Sequence, residues 1–192
     1  MTDFLGINDD EFIRGEIPMT KQEIRILVLA KAKIRPTDCI IDIGAGTGSL
    51  AIEAALQAPQ GKVYAIEREQ EGIELIRANA TKFHTVNLEA IPGAAPLALQ
   101  GLPAVDVILI GGSGGHLAGI LTESDRLLKN QGRILITAIT IETLYQALHI
   151  MQSKPEFTVE AFGAQITRIK QLNTSNMLQG LNPIYIIVCT KK

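Results

Sequence analysis

Short apolar runs alternate with amphipathic stretches along most of the chain. Cys39–Ile43 and Val105–Ile110 are apolar almost throughout, as expected of strands covered on both faces of a sheet. Ile24, Leu27, Val28 and Lys31 follow helical spacing, predicting a first helix over 20–33. Thr20 and Glu23 have the spacing of a capping box, and Met19 is placed to staple onto Ile24. Further strands are expected at Lys62–Glu67, 85–88, 132–136, 157–162 (with an extension towards Ile169) and 184–189. Helices are expected over 49–58, 70–83, 117–128 and Ile141–Gln152. Strands alternating with helices imply an α/β fold. The expected form is a single Rossmann-like, doubly wound domain over 1–192, with a mostly parallel seven-stranded sheet. The last two strands have no helix between them, which predicts a C-terminal hairpin with an antiparallel final strand. Residues 1–17 show no sustained period and read as an irregular N-terminal arm.

The first strand runs into Gly44-Ala45-Gly46-Thr47-Gly48, directly before a helix. Three glycines there permit a sharp turn and a close approach of backbone to ligand. The helix behind it would turn free N–H groups toward the turn. The spacing is G-x-G-x-G, with Ser49 next, whereas the dinucleotide fingerprint is G-x-G-x-x-G. Glu67 ends the second strand, where a carboxylate can accept hydrogen bonds from a ribose diol. The nucleosides of NAD and of S-adenosylmethionine (SAM) would both use it. SAM carries no pyrophosphate, and its amino-acid end needs an acceptor and donors. Asp42, directly or through water, and the backbone of 44–48 could supply them.

Net charge is −2 and aromatic residues are 4% with no Trp, which argues against a nucleic-acid partner. No apolar run reaches the roughly 18 residues of a membrane span, and residues 1–16 lack the apolar core of a signal peptide. Cys39 and Cys189 lie in strand-like runs and read as buried reduced thiols, which fits a cytoplasmic location. The three histidines are scattered, so no metal site is expected, and only His116 adjoins a glycine loop. Arg168 and Lys170 share a face if they lie on a strand, forming either a grip for ligand carboxylates or a solvated edge.

The sequence D-x-G-x-G-x-G at Asp42 resembles motif I of class I SAM-dependent methyltransferases. A narrower resemblance runs from about Asp9 to Thr190. It is carried by Glu11-Phe12-Ile13-Arg14-Gly15, Pro18-Met19-Thr20-Lys21, Ile110-Gly111-Gly112-Ser113-Gly114-Gly115 and Asn182-Pro183-Ile184-Tyr185. These resemble the CbiT family, the decarboxylating precorrin or cobalt-precorrin C15-methyltransferases of cobalamin biosynthesis. The resemblance implies SAM as cofactor, held by Thr20, Gly44, Ala45, Gly46, Thr47, Gly48, Glu67 and the backbone at Ala95. It further implies a precorrin substrate near Gly111, Gly112 and Ser113, no catalytic side chain, and a homo-oligomer, a tetramer. Ala94 departs from the acid that many class I enzymes place in the third loop, leaving adenine to backbone groups. The other readings are a class I methyltransferase acting on tRNA or protein, and an NAD-dependent oxidoreductase.

Overall fold

The protein was studied as a computed structural model, which describes residues 5–192. Seven strands form one sheet: β1 (Cys39–Ile43), β2 (Lys62–Glu67), β3 (Leu88–Pro92), β4 (Val105–Ile110), β5 (Leu128–Ala138), β6 (Phe157–Ala164) and β9 (Ile184–Lys191). Two more, β7 (Thr167–Leu172) and β8 (Ser175–Gly180), pair only with each other. The sheet order is β3-β2-β1-β4-β5-β9-β6. Only β9 runs against its neighbours, β5 and β6. The strand order reverses at β1 and β4, where an open α/β sheet opens a crevice for ligands.

The period-2 geometry of β1 divides its side chains between two cores. Ile40 joins Ile24, Val28, Leu50, Ala54, Ile73 and Ile76 beneath α1 (Gln22–Ala32), α2 (Ser49–Gln57) and α3 (Gln70–Lys82). Ile41 and Ile43 face Ile120, Leu121, Ala147 and Met151 of α4 (Leu117–Leu127) and α5 (Ile141–Gln152). Fully burying each Ile, Leu, Val or Met among them is worth about 1.5–3 kcal/mol. This double cover is why β1 and β4 read as apolar runs, interrupted only by Asp42 and Asp106. Cys39 and Cys189 are free thiols, and burial pushes both up, Cys189 to about 12.

Four expected elements differ. The third strand is Leu88–Pro92, not 85–88. His84 turns left-handed (φ 54°), Thr85 donates back to the Ala80 carbonyl, and the Asn87 amide donates to the last carbonyls around α2, Ala55 and Ala58. Those residues close helices, and Val86 is left exposed. The fifth strand is longer than 132–136, because Leu128 already pairs with Val105 before an irregularity at Gln131 (φ 62°). The sixth strand does not extend to Ile169. Its ladder ends at Ala164 opposite Ile184, and β7 then leaves the sheet for the hairpin with β8, turning at Asn173 (φ 53°). Finally, α1 starts at Gln22, and Thr20 caps nothing. The Gln22 N–H instead donates to the Asp9 carboxylate at 2.9 Å, and Met19 packs with Phe12 and Ile52 rather than Ile24.

Candidate active site

Two glycine loops meet at the carboxyl ends of β1 and β4. Gly111 N–H donates to the Ile43 carbonyl at 2.9 Å, so the second loop starts as a continuation of the ladder. Gly44 has φ 70°, and a Cβ there would lie 2.7–2.9 Å from backbone atoms of Gly112. Only a residue without a side chain lets the loops touch. The N–H groups of Gly44 and Ala45 donate to Ile66, that of Gly46 to the Glu67 carboxylate, and that of Gly48 to Ala45. The turn therefore presents bare backbone to the cavity, with most of its donors already committed inside the protein.

Glu67 is 8% exposed, and its carboxylate accepts from the N–H groups of Gly46, Arg68 and Glu69 at 2.8–3.0 Å. The three donors fix the carboxylate in one orientation at the cavity wall. Gly72 makes this possible: a Cβ there would lie 2.5 Å from Glu67 Cγ and 3.1 Å from the Gly46 carbonyl. Sequence reasoning missed Gly72. Its signal was a glycine in the first turn of a helix, where it costs about 1 kcal/mol relative to Ala and so demands a packing reason.

The cavity holds about 480 Å³, within the usual range for small-molecule sites. Its walls include Gly44, Ala45, Gly46, Glu67, the third loop at Gly93, Ala94 and Ala95, and the second glycine loop at Gly111, Gly112 and Ser113. Thr20 and its neighbours Ile17, Pro18, Met19 and Lys21 close the other side. Most of the residues named from the sequence thus line this one cavity. Thr47 and Gly48 are not on the wall: Thr47 is buried, and Gly48 (φ 78°) packs against Ile76 of α3. They shape the turn from behind.

The arm reaches the cavity because buried polar groups hold it. Asn79 of α3, fully buried, accepts from Ile13 N–H at 2.8 Å and donates to the Ile13 and Thr47 carbonyls. Arg25, also fully buried, pairs with Asp9 at 2.8 Å and Glu53 at 2.7 Å, and donates to the carbonyls of Thr20 and Ile7. Its guanidinium also lies over the Phe12 ring. Burial pushes the Asp9 carboxyl up, but Arg25 and Arg168 outweigh it and hold it below the usual aspartate range. Arg168 is thus not a ligand grip. It binds Glu23 through two nitrogens at 2.9 and 2.7 Å and reaches Asp9 at 3.2 Å, tying β7 to α1 and the arm.

Asp42 is 1% exposed, lies off the cavity wall, and has no partner for Oδ2 among the described residues. A direct contact from Asp42 to a ligand is therefore not part of this site. Burial pushes its pKa up to about 7; a backbone hydrogen bond from Ala51 opposes this, and the nearby Glu67 charge adds to it. Between the ordinary aspartate value and about 7 the unfolded chain has released this proton while the folded chain keeps it. The unfolded state then binds fewer protons, so this group lowers stability as pH rises through the window. Asp42→Asn removes the titration. The stability difference, wild type minus variant, should fall as pH rises from about 4 to about 7 in urea unfolding, by up to a few kcal/mol. A constant difference would refute the neutral Asp42.

Among the cavity residues, His116 is the lone histidine; it is exposed, and its N–H donates to the Ser113 carbonyl at 2.9 Å. Ser113 is half-buried on the same wall. Among the described residues, no group of three or more His, Cys, Asp or Glu is placed to hold a metal, and no helix is long and apolar enough to cross a membrane.

Residues 11–191 match the precorrin methyltransferase domain family. The chain is 35% identical over 187 residues to a cobalt-precorrin-6B C(15)-methyltransferase (decarboxylating) of Salmonella typhimurium, covering 97% of this chain and 96% of that one. It is 42% identical over 185 residues to a probable enzyme of the same name from Sulfurisphaera tokodaii, with 95% of each covered. Among solved structures it is similar to a precorrin-6y C5,15-methyltransferase from Geobacter metallireducens. That likeness has a TM-score of 0.93 and 37% identity, over 98% of this chain and 99% of the other.

Proposed function

Since the chain belongs to the precorrin methyltransferase family, we propose that it methylates C15 of a precorrin or cobalt-precorrin with SAM, removing the ring C acetate carboxyl as CO₂, in cobalamin biosynthesis. The observation that carries this reading is the apposition of the two glycine loops, Gly44 against Gly112, with the fixed Glu67 carboxylate on the same wall. The first loop and Glu67 suit a nucleoside whose ribose diol needs a charged acceptor. Remaining lone pairs on Glu67 accept the hydroxyls, and Ala94 and Ala95 offer backbone to the adenine. Thr20 closes the wall from the arm. SAM, when bound, supplies a methyl group already activated on sulfur. The protein's part is to align it with a macrocycle carbon that is itself nucleophilic, and orientation alone supplies several kcal/mol. Gly111 and Gly112 let a flat ring lie close to the backbone, and Ser113 can donate to one of its carboxylates. Loss of CO₂ leaves its electron pair on the substrate carbon, where the conjugated macrocycle can take it up. The test is product mass after anaerobic incubation with SAM and cobalt-precorrin-6B: one methyl gained and one CO₂ lost. Methyl gain without CO₂ loss, or no reaction, would refute the reading.

The reading includes a homo-oligomer, a tetramer as in the family resemblance, with no nucleic-acid or membrane partner and a cytoplasmic location. What supports assembly is the β7–β8 hairpin. Ile169 and Leu178 face each other across it at 69% and 71% exposure, with Met177 exposed as well. A lone two-stranded hairpin is marginal in water, so a second copy covering it would stabilise both. Ile169→Asp with Leu178→Asp should shift sedimentation to a smaller species while the fold persists. An unchanged sedimentation coefficient would place any interface elsewhere.

A further inference from the structure

Two cations stand on the cavity wall where protein stability alone would not put them. Lys21 occupies the N-cap position of α1 and makes no side-chain capping bond. Among the described residues it has no carboxylate within ion-pair distance. Arg68 lies just before α3, also on the wall, and among the described residues its only ion pair is with the adjacent Glu69, both partners being largely exposed. Positive charge at a helix start opposes the macrodipole, which favours anions there. A largely exposed pair between neighbours contributes little, so Arg68 is free to take another partner. Arg68 also lies against the second glycine loop: its Nη1 is 2.9 Å from where a Cβ on Gly114 would sit.

The donors of the first glycine turn are mostly committed inside the protein, and Arg168 is held by Glu23 and Asp9. Any carboxylate entering this cavity therefore needs charge from elsewhere. We propose that Lys21 and Arg68 are the carboxylate-binding residues of the cavity, one on the arm and one beside the second glycine loop. The inference rests on the methyltransferase reading, under which two ligands bring carboxylates: the amino-acid end of SAM and the side chains around the macrocycle. Both are anions that an ammonium or a guanidinium can hold by charge-assisted hydrogen bonds. Arg68 beside Gly114 is placed for the macrocycle, and Lys21 beside Thr20 can reach either. These residues position ligands and take no part in bond-making.

The test compares wild type, Lys21→Met and Arg68→Met, which keep the apolar stem and remove the charge. Binding is titrated with uroporphyrin, a stable tetrapyrrole bearing carboxylates on its side chains. It is also titrated with S-adenosylhomocysteine and with 5′-methylthioadenosine, which lacks the amino-acid end. Removing a charge-assisted bond should weaken the affected ligand about tenfold to a hundredfold. Weaker uroporphyrin binding with unchanged S-adenosylhomocysteine assigns the cation to the macrocycle. Weaker S-adenosylhomocysteine with unchanged 5′-methylthioadenosine assigns it to the cofactor. Lys21→Arg should restore affinity in either case. If folded variants bind all three as the wild type does, the inference is overturned and the function stands. If the wild type itself binds neither the nucleosides nor the tetrapyrrole, the function falls, and the inference with it.

Discussion

Gly44→Ala should abolish SAM binding, whereas Gly112→Ala should leave it intact. The two glycines touch, but their surroundings differ. A Cβ on Gly44 would lie within 2.9 Å of three backbone atoms of Gly112, at a φ of 70°. The left-handed conformation alone costs about 1–2 kcal/mol for a residue with a side chain. The clash adds to this, and backbone cannot swing aside as a side chain can, so the loops must part. A Cβ on Gly112 meets only Gly44 Cα, at 4.0 Å, and its φ is not in the left-handed range. Thermal unfolding reads the difference. SAM at 100 times its dissociation constant stabilises wild type and Gly112→Ala by about 2.7 kcal/mol, and Gly44→Ala by nothing. Gly112→Val should go one step further, binding SAM but failing to transfer the methyl group, because its branches fill the space assigned to the macrocycle. Equal stabilisation of Gly44→Ala would show that the loop contact is dispensable.

Arg25→Met should be the most damaging single substitution away from the cavity, at about 3–5 kcal/mol in urea unfolding at fixed protein concentration. Arg25 and Glu53 are both fully buried, so removing the cation leaves a carboxylate with no counter-charge. The remaining donor to Glu53 is the Gly6 N–H at 2.8 Å. Asp9 would keep Arg168, but the carbonyls of Thr20 and Ile7 would lose their donor. Because those contacts hold the arm, SAM affinity should fall together with stability. Adding Glu53→Gln removes the stranded charge and should recover part of the loss. A single-substitution cost below 1 kcal/mol would mean that water reaches this site.

Much of this was legible in the chain. The apolar runs at Cys39–Ile43 and Val105–Ile110 marked the central strands, because helices cover them on both faces. The two glycine stretches and Glu67 marked the cavity, because an open α/β sheet puts its site at strand ends. What stayed hidden depends on contacts distant in sequence. Thr20 and Glu23 have the spacing of a cap, yet Asp9 takes the role from outside the helix. Arg168 looked like a free cation, and nothing local to it reveals Glu23 and Asp9. Asn79 sits in an ordinary helical pattern, and its bonds to Ile13 and Thr47 appear only once the arm is laid on α3. The hairpin at 167–180 was legible only as an extension of the sixth strand towards Ile169, because nothing local shows that the chain turns at Asn173 and pairs back on itself outside the main sheet.

On the proposed reading, this site works by alignment and asks no side chain to move a proton. His116 is the side chain on the wall that could contradict it as an acid or base, since it adjoins the second glycine loop and is solvent-accessible. General acid–base catalysis by a positioned side chain typically contributes about 10²–10⁴-fold. The deciding measurement is the single-turnover rate of methyl transfer in His116→Ala, with SAM and substrate both saturating. Alignment predicts a rate within a few-fold of wild type. A fall of about a hundredfold or more, in a folded variant that binds both ligands normally, would make His116 an acid or base and contradict the account.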